Sequence, residues 1–132
     1  ARGAERGEAM HLSDEEFEQV VEDALASIPE GFRRYLENVA VDVEDEPDEN
    51  LCRRMRLRDP RCLLGVYEGT PLTDRHVEQP YRYPDRIVIY QRNIERISRS
   101  RAEMIEQIRK TVLHEVGHHF GLSERQLRQL GF

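Results

Sequence analysis

Apolar residues recur at three- and four-residue spacing near both ends of the chain, which is the pattern of amphipathic helices. From Ser13 to Ile28 the apolar residues fall on one stripe of a helix, and Ser13-Asp14-Glu15-Glu16 is a capping-box pattern at the start of this segment. The stripe comprises Phe17, Val20, Val21, Ala24, Leu25 and Ile28. We therefore predict a helix here, and a short second helix from about Phe32 to Glu37.

The longest predicted helix runs from Arg101 to Phe120. Ser100 can cap its start, and Gly121 can end it because glycine adopts the left-handed conformation at little cost. A second capping-box pattern, Ser123 to Gln126, predicts a last short helix that reaches about Leu130. The predicted core face of the long helix consists of Ile105, Ile108, Val112, Val116 and Phe120.

Alternating or short β-rich apolar runs predict three strands between these helices. They lie at Val39–Val43, Leu63–Tyr67 and Ile87–Tyr90. The segment from Asp45 to Pro60 has no periodicity, so we expect a solvated, mobile loop there. The segment from Gly69 to Asp85 contains three prolines and is predicted to be a long loop.

Composition limits the class of protein. The 132 residues suit one domain, and we expect a disordered tail over residues 1–12 and a single domain over residues 13–132. A net charge of −6 argues against binding to nucleic acid or to a membrane surface. No apolar run approaches the roughly 20 residues of a membrane span, and no signal peptide is evident. We therefore expect a cytoplasmic, monomeric protein whose Cys52 and Cys62 are free thiols, although the sequence leaves their pairing open.

Candidate chemistry lies on the long helix, in the sequence His114-Glu115-Val116-Gly117-His118. Residues four apart on a helix project from the same face, so both imidazoles can reach one zinc ion. The apolar stripe lies on the opposite side, which argues against a packing role for this pair. Glu115 is suited to take a proton from water bound to the metal. His119 falls near the edge of the apolar stripe and is expected to be packed or to orient a ligand.

A catalytic zinc site usually takes three protein ligands and leaves one position for water. Glu124 is the candidate third ligand, because the chain can turn back at Gly121. Its alternative role is to complement the dipole at the start of the last helix. His76 and Asp85 are weaker substitutes from the long loop.

The segment from His114 to Glu124 resembles the extended zincin pattern H-E-x-x-H-x-x-G-x-x-(H or D). Together with Val39-Ala40-Val41, Leu64 to Gly69 and Pro84 to Ile87, it makes the chain similar to the small bacterial zincin-like metallopeptidases. The resemblance implies an α+β fold, in which a small mixed sheet of three to four strands packs on the H-E-x-x-H helix. It also implies that His114 and His118 bind one zinc ion per chain and that Glu115 is the general base. The third position tends to be aspartate in that family, whereas this chain has Glu124.

The favoured function is zinc-dependent hydrolysis of a peptide or protein substrate. An extended peptide could pair with the Leu63–Tyr67 strand, and Tyr81 or Tyr83 could donate to the developing oxyanion, although packing is the commoner role of such tyrosines. The chain lacks room for the second subdomain that walls the cleft of larger zincins. The alternatives are a non-enzymatic zinc module, structural or partner-binding, and a metal-free interaction domain. A fourth protein ligand would identify the first alternative, and absence of metal the second.

Overall fold

The computed structural model describes residues 11–69 and 85–130, and these contain six α-helices and three β-strands. The chain also contains two short 3-10 helices, Arg34–Leu36 before the first strand and Pro60–Cys62 before the second. In chain order the elements are α1 (Asp14–Ala26), α2 (Glu30–Arg33), β1 (Val39–Glu44), α3 (Glu49–Met55), β2 (Gly65–Glu68), β3 (Asp85–Tyr90), α4 (Gln91–Arg96), α5 (Arg101–His119) and α6 (Glu124–Gln129).

Helix α1 begins where the sequence predicts. The Ser13 hydroxyl accepts a hydrogen bond from the Glu16 amide at 3.1 Å, and the Glu16 carboxylate accepts one from the Ser13 amide at 2.9 Å. This reciprocal pair satisfies two amide donors that a helix start would otherwise leave without partners. The helix then buries Phe17, Val20, Val21 and Ala24 against the core.

The sheet is small and mixed, with the strand order β1-β3-β2. β1 runs parallel to β3, with Val41 opposite Ile87, and β2 runs antiparallel to β3, with Val66 opposite Val88. β2 is therefore an edge strand within the described part of the chain. This arrangement confirms the predicted α+β class with a small mixed sheet.

Each face of the sheet covers a separate apolar cluster, because successive side chains of a strand point to opposite faces. Ile87 and Ile89 of β3 join the main core, which α1 and α5 complete. Val88 and Tyr90 face the other way and pack with Leu51 of α3. Burial on this second face raises the pKa of Tyr90 to about 12. Helix α5 packs against α1 and also against β2, so the main core fixes the helix beside the sheet edge.

Arg86 connects all three strands by charge. Its guanidinium contacts Asp42 of β1 at 2.8 Å and Glu68 of β2 at 2.9 Å, and Glu44 lies 3.5 Å away. The hydrogen bonds to Asp42 and Glu68 raise the pKa of Arg86 above its ordinary value. These ion pairs help to hold the three strands in register at the end of the sheet where β2 ends.

Two expectations from the sequence are wrong. The segment from Asp45 to Pro60 is not a loop throughout, because it contains α3, which Asp48 caps by accepting from the Leu51 amide at 2.8 Å. Only Leu51 of this helix is buried, so the segment shows no apolar period. Phe120 is 44% exposed and does not belong to the core, because α5 ends at His119 and the chain turns away. Met104 and Leu113 are buried in that core instead.

The described chain begins with a short contact to α4. His11 Nδ1 lies 2.9 Å from Oε1 of the buried Glu95, and the Leu12 amide donates to Oε2 at 2.9 Å. Gln91 donates to the same Oε2 atom at 2.9 Å, so the buried carboxylate is hydrogen-bonded at both oxygens. No helix in the described ranges is long and apolar enough to cross a membrane. Cys52 and Cys62 are free thiols, as expected.

Candidate metal centre

The last two turns of α5 carry His114 and His118 on a stripe that faces away from the core. Ser100 caps the start of the helix, its hydroxyl accepting from the Glu103 amide at 3.1 Å, and the buried face of the helix includes Ile108, Val112 and Val116. The two imidazole rings lie one turn apart, with centroids separated by 5.9 Å and planes inclined at 53°. The core face therefore fixes which way both rings project.

Glu124 reaches this stripe because the chain reverses after α5. Gly121 adopts φ +76°, a conformation that suits glycine, and Ser123 then caps α6 with a complete capping box. Leu127 of α6 is fully buried and sits over Gly117, where an added Cβ would lie 2.9 Å from Leu127 Cδ2. This close approach holds α6 against the end of α5.

The Glu124 carboxylate meets one imidazole with each of its oxygens. Oε1 lies 3.5 Å from Nε2 of His114, and Oε2 lies 3.7 Å from Nε2 of His118. Two ligand atoms that share a tetrahedral zinc ion at roughly 2.0–2.1 Å are about 3.4 Å apart. The distances from the carboxylate to the two rings are therefore close to those of a shared ion, and two imidazoles with one carboxylate form a donor set that zinc accepts.

A hydrogen bond at His114 favours the tautomer that a metal needs. Its Nδ1 lies 3.0 Å from the carbonyl oxygen of Lys110. A carbonyl only accepts hydrogen bonds, so Nδ1 carries a proton and Nε2, which lies nearer Glu124, is the nitrogen left to bind a metal ion. Ligand histidines commonly use this kind of bond to fix the ring.

The side chains of His114, His118 and Glu124 do not all point at one common position. Within residues 11–69 and 85–130, no group of three or more His, Cys, Asp or Glu side chains is arranged to hold a metal ion. Each ring contacts the carboxylate separately, while the ring centroids stay 5.9 Å apart. The distances and the donor chemistry suit zinc, and rotation of exposed side chains is what would bring the three groups onto one ion.

Glu115 points away from this stripe, towards the sheet. Its Oε1 accepts a hydrogen bond from the backbone amide of Tyr67 in β2, at 3.3 Å. The close approach of strand and helix depends on Gly65, because a Cβ there would lie 2.7 Å from Thr111 Cγ2 and 2.9 Å from the Val88 carbonyl. The carboxylate next to the metal-ligand candidates therefore lies at the edge of the sheet.

His119 also faces the sheet and is packed, as its position beside the apolar stripe predicted. Its ring stacks on the ring of Tyr67, with centroids 4.0 Å apart and planes inclined at 20°. Its Nε2 lies 3.6 Å from Oδ2 of Asp85, the same oxygen that accepts from the Tyr67 hydroxyl at 2.7 Å. Asp85, a substitute ligand in the sequence analysis, is thus engaged by Tyr67 and His119 rather than placed beside Glu124.

Sequence reasoning missed three residues that shape this region: Gly65, Tyr67 and Gly117. The period of two along β2 puts Gly65 and Tyr67 on one face, and that signal was available. Nothing local to Gly117 indicates that Leu127 packs on it, because the contact forms only once α6 folds back. Tyr81 and Tyr83, the candidate oxyanion donors, and His76 lie outside the described residues.

Comparisons with known proteins identify the family of the chain. No curated protein matches the chain. A solved structure, a conserved hypothetical protein from Thermo thermophilus, is 25% identical with a TM-score of 0.51, and the alignment covers 82% of this chain and 94% of that one. The sequence model of the zincin-like metallopeptidases matches residues 36–132, which include both strands of the β2–β3 pair and all of α5 and α6. Zinc binding is general to zincins, and by this match the chain belongs to the zincin-like metallopeptidase family.

Proposed function

We propose that the protein is a zinc-dependent peptidase, in which one zinc ion per chain is held by His114, His118 and Glu124 and Glu115 is the general base. The observation that supports this most directly is the Glu124 carboxylate, which contacts Nε2 of both histidines at 3.5 and 3.7 Å. The family match supports metallopeptidase chemistry in general. The assignment of the three ligands rests on the contacts of Glu124 with the two histidines, and that of the general base on the position of Glu115 in the H-E-x-x-H pattern.

A bound zinc ion would supply Lewis acidity, lowering the pKa of a coordinated water to about 7 and polarising a carbonyl group. Glu115 follows His114 directly and turns its carboxylate towards the edge of β2. In peptide hydrolysis Glu115 would accept one proton of the attacking water as the oxygen bonds to the scissile carbonyl carbon. It would then pass that proton to the leaving amine as the C–N bond breaks.

The edge of β2 would hold the substrate in an extended form. Tyr90 donates to the Leu64 carbonyl at 3.0 Å, so the backbone groups of Leu64, Val66 and Glu68 point towards β3. Those of Gly65 and Tyr67 alternate and point away from β3. The Tyr67 amide already donates to Glu115, so an extended peptide would pair with the Gly65 amide and the Gly65 and Tyr67 carbonyls and lie beside Glu115, by the strand-addition mode common in peptide recognition. Tyr81 and Tyr83 remain the proposed oxyanion donors.

The test is Glu115→Gln, which keeps the shape of the side chain and removes its basicity. We expect kcat on a peptide library to fall by about 10²–10⁴, with zinc retained at the wild-type ratio by elemental analysis. Glu106→Gln is the matched control, because Glu106 is on α5 and pairs with Arg109 and Lys110, away from the proposed ligands. Full activity in Glu115→Gln, or loss of its zinc, would contradict the proposed role.

A non-enzymatic zinc module is the second candidate, and one observation favours it. Glu124 belongs to α6 and both histidines to α5, so an ion shared by the three would also fasten the last helix to the rest of the fold. Structural zinc sites usually have four protein ligands. Zinc-loaded wild-type protein that has a fourth protein ligand and cleaves no peptide would favour this module over the peptidase.

A further inference from the structure

Three side chains from distant parts of the sequence meet beside the candidate metal centre without belonging to it. Tyr67 comes from β2, Asp85 from the start of β3 and His119 from the end of α5. The Tyr67 hydroxyl donates to Asp85 Oδ2 at 2.7 Å, His119 Nε2 lies 3.6 Å from the same oxygen, and the Tyr67 and His119 rings stack at 4.0 Å. Each of the three therefore contacts the other two. We call this group the tyrosine clamp.

The fold makes room for the clamp. A Cβ at Gly69 would lie 2.7 Å from Tyr67 Cε1 and 2.9 Å from Asp85 Cγ, so a larger residue there would collide with two of its members. The side chain of Asp85 is only 13% exposed, which strengthens its hydrogen bonds relative to those of a surface carboxylate. The Tyr67 ring is thus held by stacking on one side and by its hydroxyl at the far end.

The backbone of the same tyrosine contacts the proposed general base. The strand register turns the Tyr67 amide away from β3, and this amide donates to Glu115 Oε1 at 3.3 Å. A residue whose ring is fixed has little freedom to move its own amide. The position of one Glu115 oxygen therefore depends on contacts made at the opposite end of Tyr67.

We propose that Asp85 and His119 are positioning residues that act through Tyr67: they fix the Tyr67 amide, and this amide orients the carboxylate of Glu115. The structural part of the proposal concerns the Tyr67–Glu115 hydrogen bond alone. Its catalytic consequence rests on the proposed peptidase function. Glu124 takes no part in the three contacts that define the clamp, so the clamp is not expected to contribute to zinc affinity.

The structural part is tested without activity, by amide hydrogen exchange of the full chain followed by NMR. We expect the Tyr67 amide to exchange about threefold to tenfold faster in Tyr67→Phe, Asp85→Asn and His119→Phe, as on weakening of one ordinary hydrogen bond. Glu115→Ala provides the reference for complete loss of this bond. The Val66 amide is the internal control, because the register directs it towards β3, and its rate should not change.

Tyr67→Phe is the mildest of these variants, since it removes one hydroxyl and keeps the stacked ring. Tyr90→Phe is its matched control, because Tyr90 lies on the opposite face of the sheet, packed with Leu51 and Val88. If Tyr67→Phe, Asp85→Asn and His119→Phe all leave the Tyr67 amide as protected as in Tyr90→Phe, the clamp does not position it and the proposal is wrong.

The catalytic part is tested in the zinc-loaded protein. We expect kcat to fall about tenfold in Tyr67→Phe and Asp85→Asn, with KM and the zinc affinity unchanged, because a misplaced base slows the chemical step without weakening binding. An unchanged kcat, or a loss of zinc, would overturn the catalytic part. If zinc-loaded wild-type protein cleaves no peptide, the proposed function fails, while the exchange rates still decide whether the clamp positions Glu115.

Discussion

The last two turns of α5 present two neighbouring stripes that differ in how firmly they are held. On the stripe that faces α6, the side chains of His114, His118 and Glu124 are 35%, 60% and 52% exposed. On the stripe that faces the sheet, His119 and Asp85 are 25% and 13% exposed, and Tyr67 stacks against His119. Among the metal-ligand candidates, His118 and Glu124 are thus loosely held, whereas a hydrogen bond to the Lys110 carbonyl holds His114. On the neighbouring stripe, the Tyr67 amide holds the Glu115 carboxylate.

The difference between the two stripes fits the roles that we propose for them. A metal ion supplies its own geometry once it binds, so its ligands can tolerate rotation beforehand. A general base has no such organiser, and its oxygen must already lie in place when the proton moves. We infer that contacts with the sheet hold the Glu115 carboxylate in place before substrate binds. Substitutions on either stripe can test this inference.

The largest effect is expected on the loose stripe, from His118→Ala. Loss of one of three ligands should lower zinc affinity by at least about 100-fold. The melting temperature of the metal-free protein should hardly change, because His118 is exposed and contributes little to packing. Zinc titration and thermal melting with and without a chelator measure the two quantities. A large loss of metal-free stability would show that this stripe is not loose.

On the held stripe, Gly65→Ala should reduce stability by about 1–3 kcal/mol, because overpacking at a backbone contact has no easy relief. The new Cβ would lie 2.9 Å from the Val88 carbonyl and 2.7 Å from Thr111 Cγ2. We also expect lower kcat, since β2 would move away from Glu115. Urea unfolding and initial rates provide the measurements.

Gly31→Ala is the matched control for this change, because a Cβ at Gly31 meets only the end of the Leu130 side chain, at 3.2 Å. Its unfolding free energy should stay within about 0.5 kcal/mol of wild type. Equal effects of the two substitutions would mean that the strand–helix contact at Gly65 has no special importance.

The smallest effect is expected far from both stripes, at the start of α5. Hydrogen bonds from Arg101 and then Gln19 hold the pKa of Asp23 below its ordinary value of 3.8. A lowered pKa stabilises the folded state above 3.8, and this contribution disappears as pH falls through the folded value. Asp23→Asn should therefore melt slightly lower than wild type at neutral pH.

The difference between Asp23→Asn and wild type should shrink once the pH drops below 3.8. Thermal melting from neutral to acidic pH would show this, and the control is the zinc affinity at neutral pH, which should be the same in Asp23→Asn and wild type. A difference that persists at the lowest pH would assign the effect to packing and not to charge.

Much of the fold follows from patterns in the sequence, and the exceptions have physical reasons. Apolar stripes predicted α1 and α5 within a few residues, because each of these helices buries one continuous face, and a capping box predicted α6. Helix α3 buries only Leu51, so no period reveals it. Helix α4, Gln91–Arg96, buries polar side chains such as Asn93 and Glu95, which a hydrophobic pattern cannot identify.

Some contacts of the candidate site can likewise be predicted from local sequence, whereas others depend on the register of the sheet. The spacing of His114 and His118 is local information, and the helix alone converts it into a shared face. The contact of Glu124 with both rings depends on the turn at Gly121, which the sequence also indicates. The hydrogen bond between Tyr67 and Glu115 joins residues 48 positions apart, and only the antiparallel register of β2 on β3 creates it.

Leu127 buries its side chain over Gly117 and is the only buried residue of the six-residue helix α6. A six-residue helix with one buried side chain is expected to detach at lower temperature than the α1–α5 interface. Glu124 would move away from the two histidines when α6 detaches. Metal binding by these three residues and detachment of α6 therefore exclude each other. An ion bound only to the docked state stabilises that state by mass action. Zinc supply would thereby raise the temperature at which α6 detaches, whether or not the protein cleaves peptides.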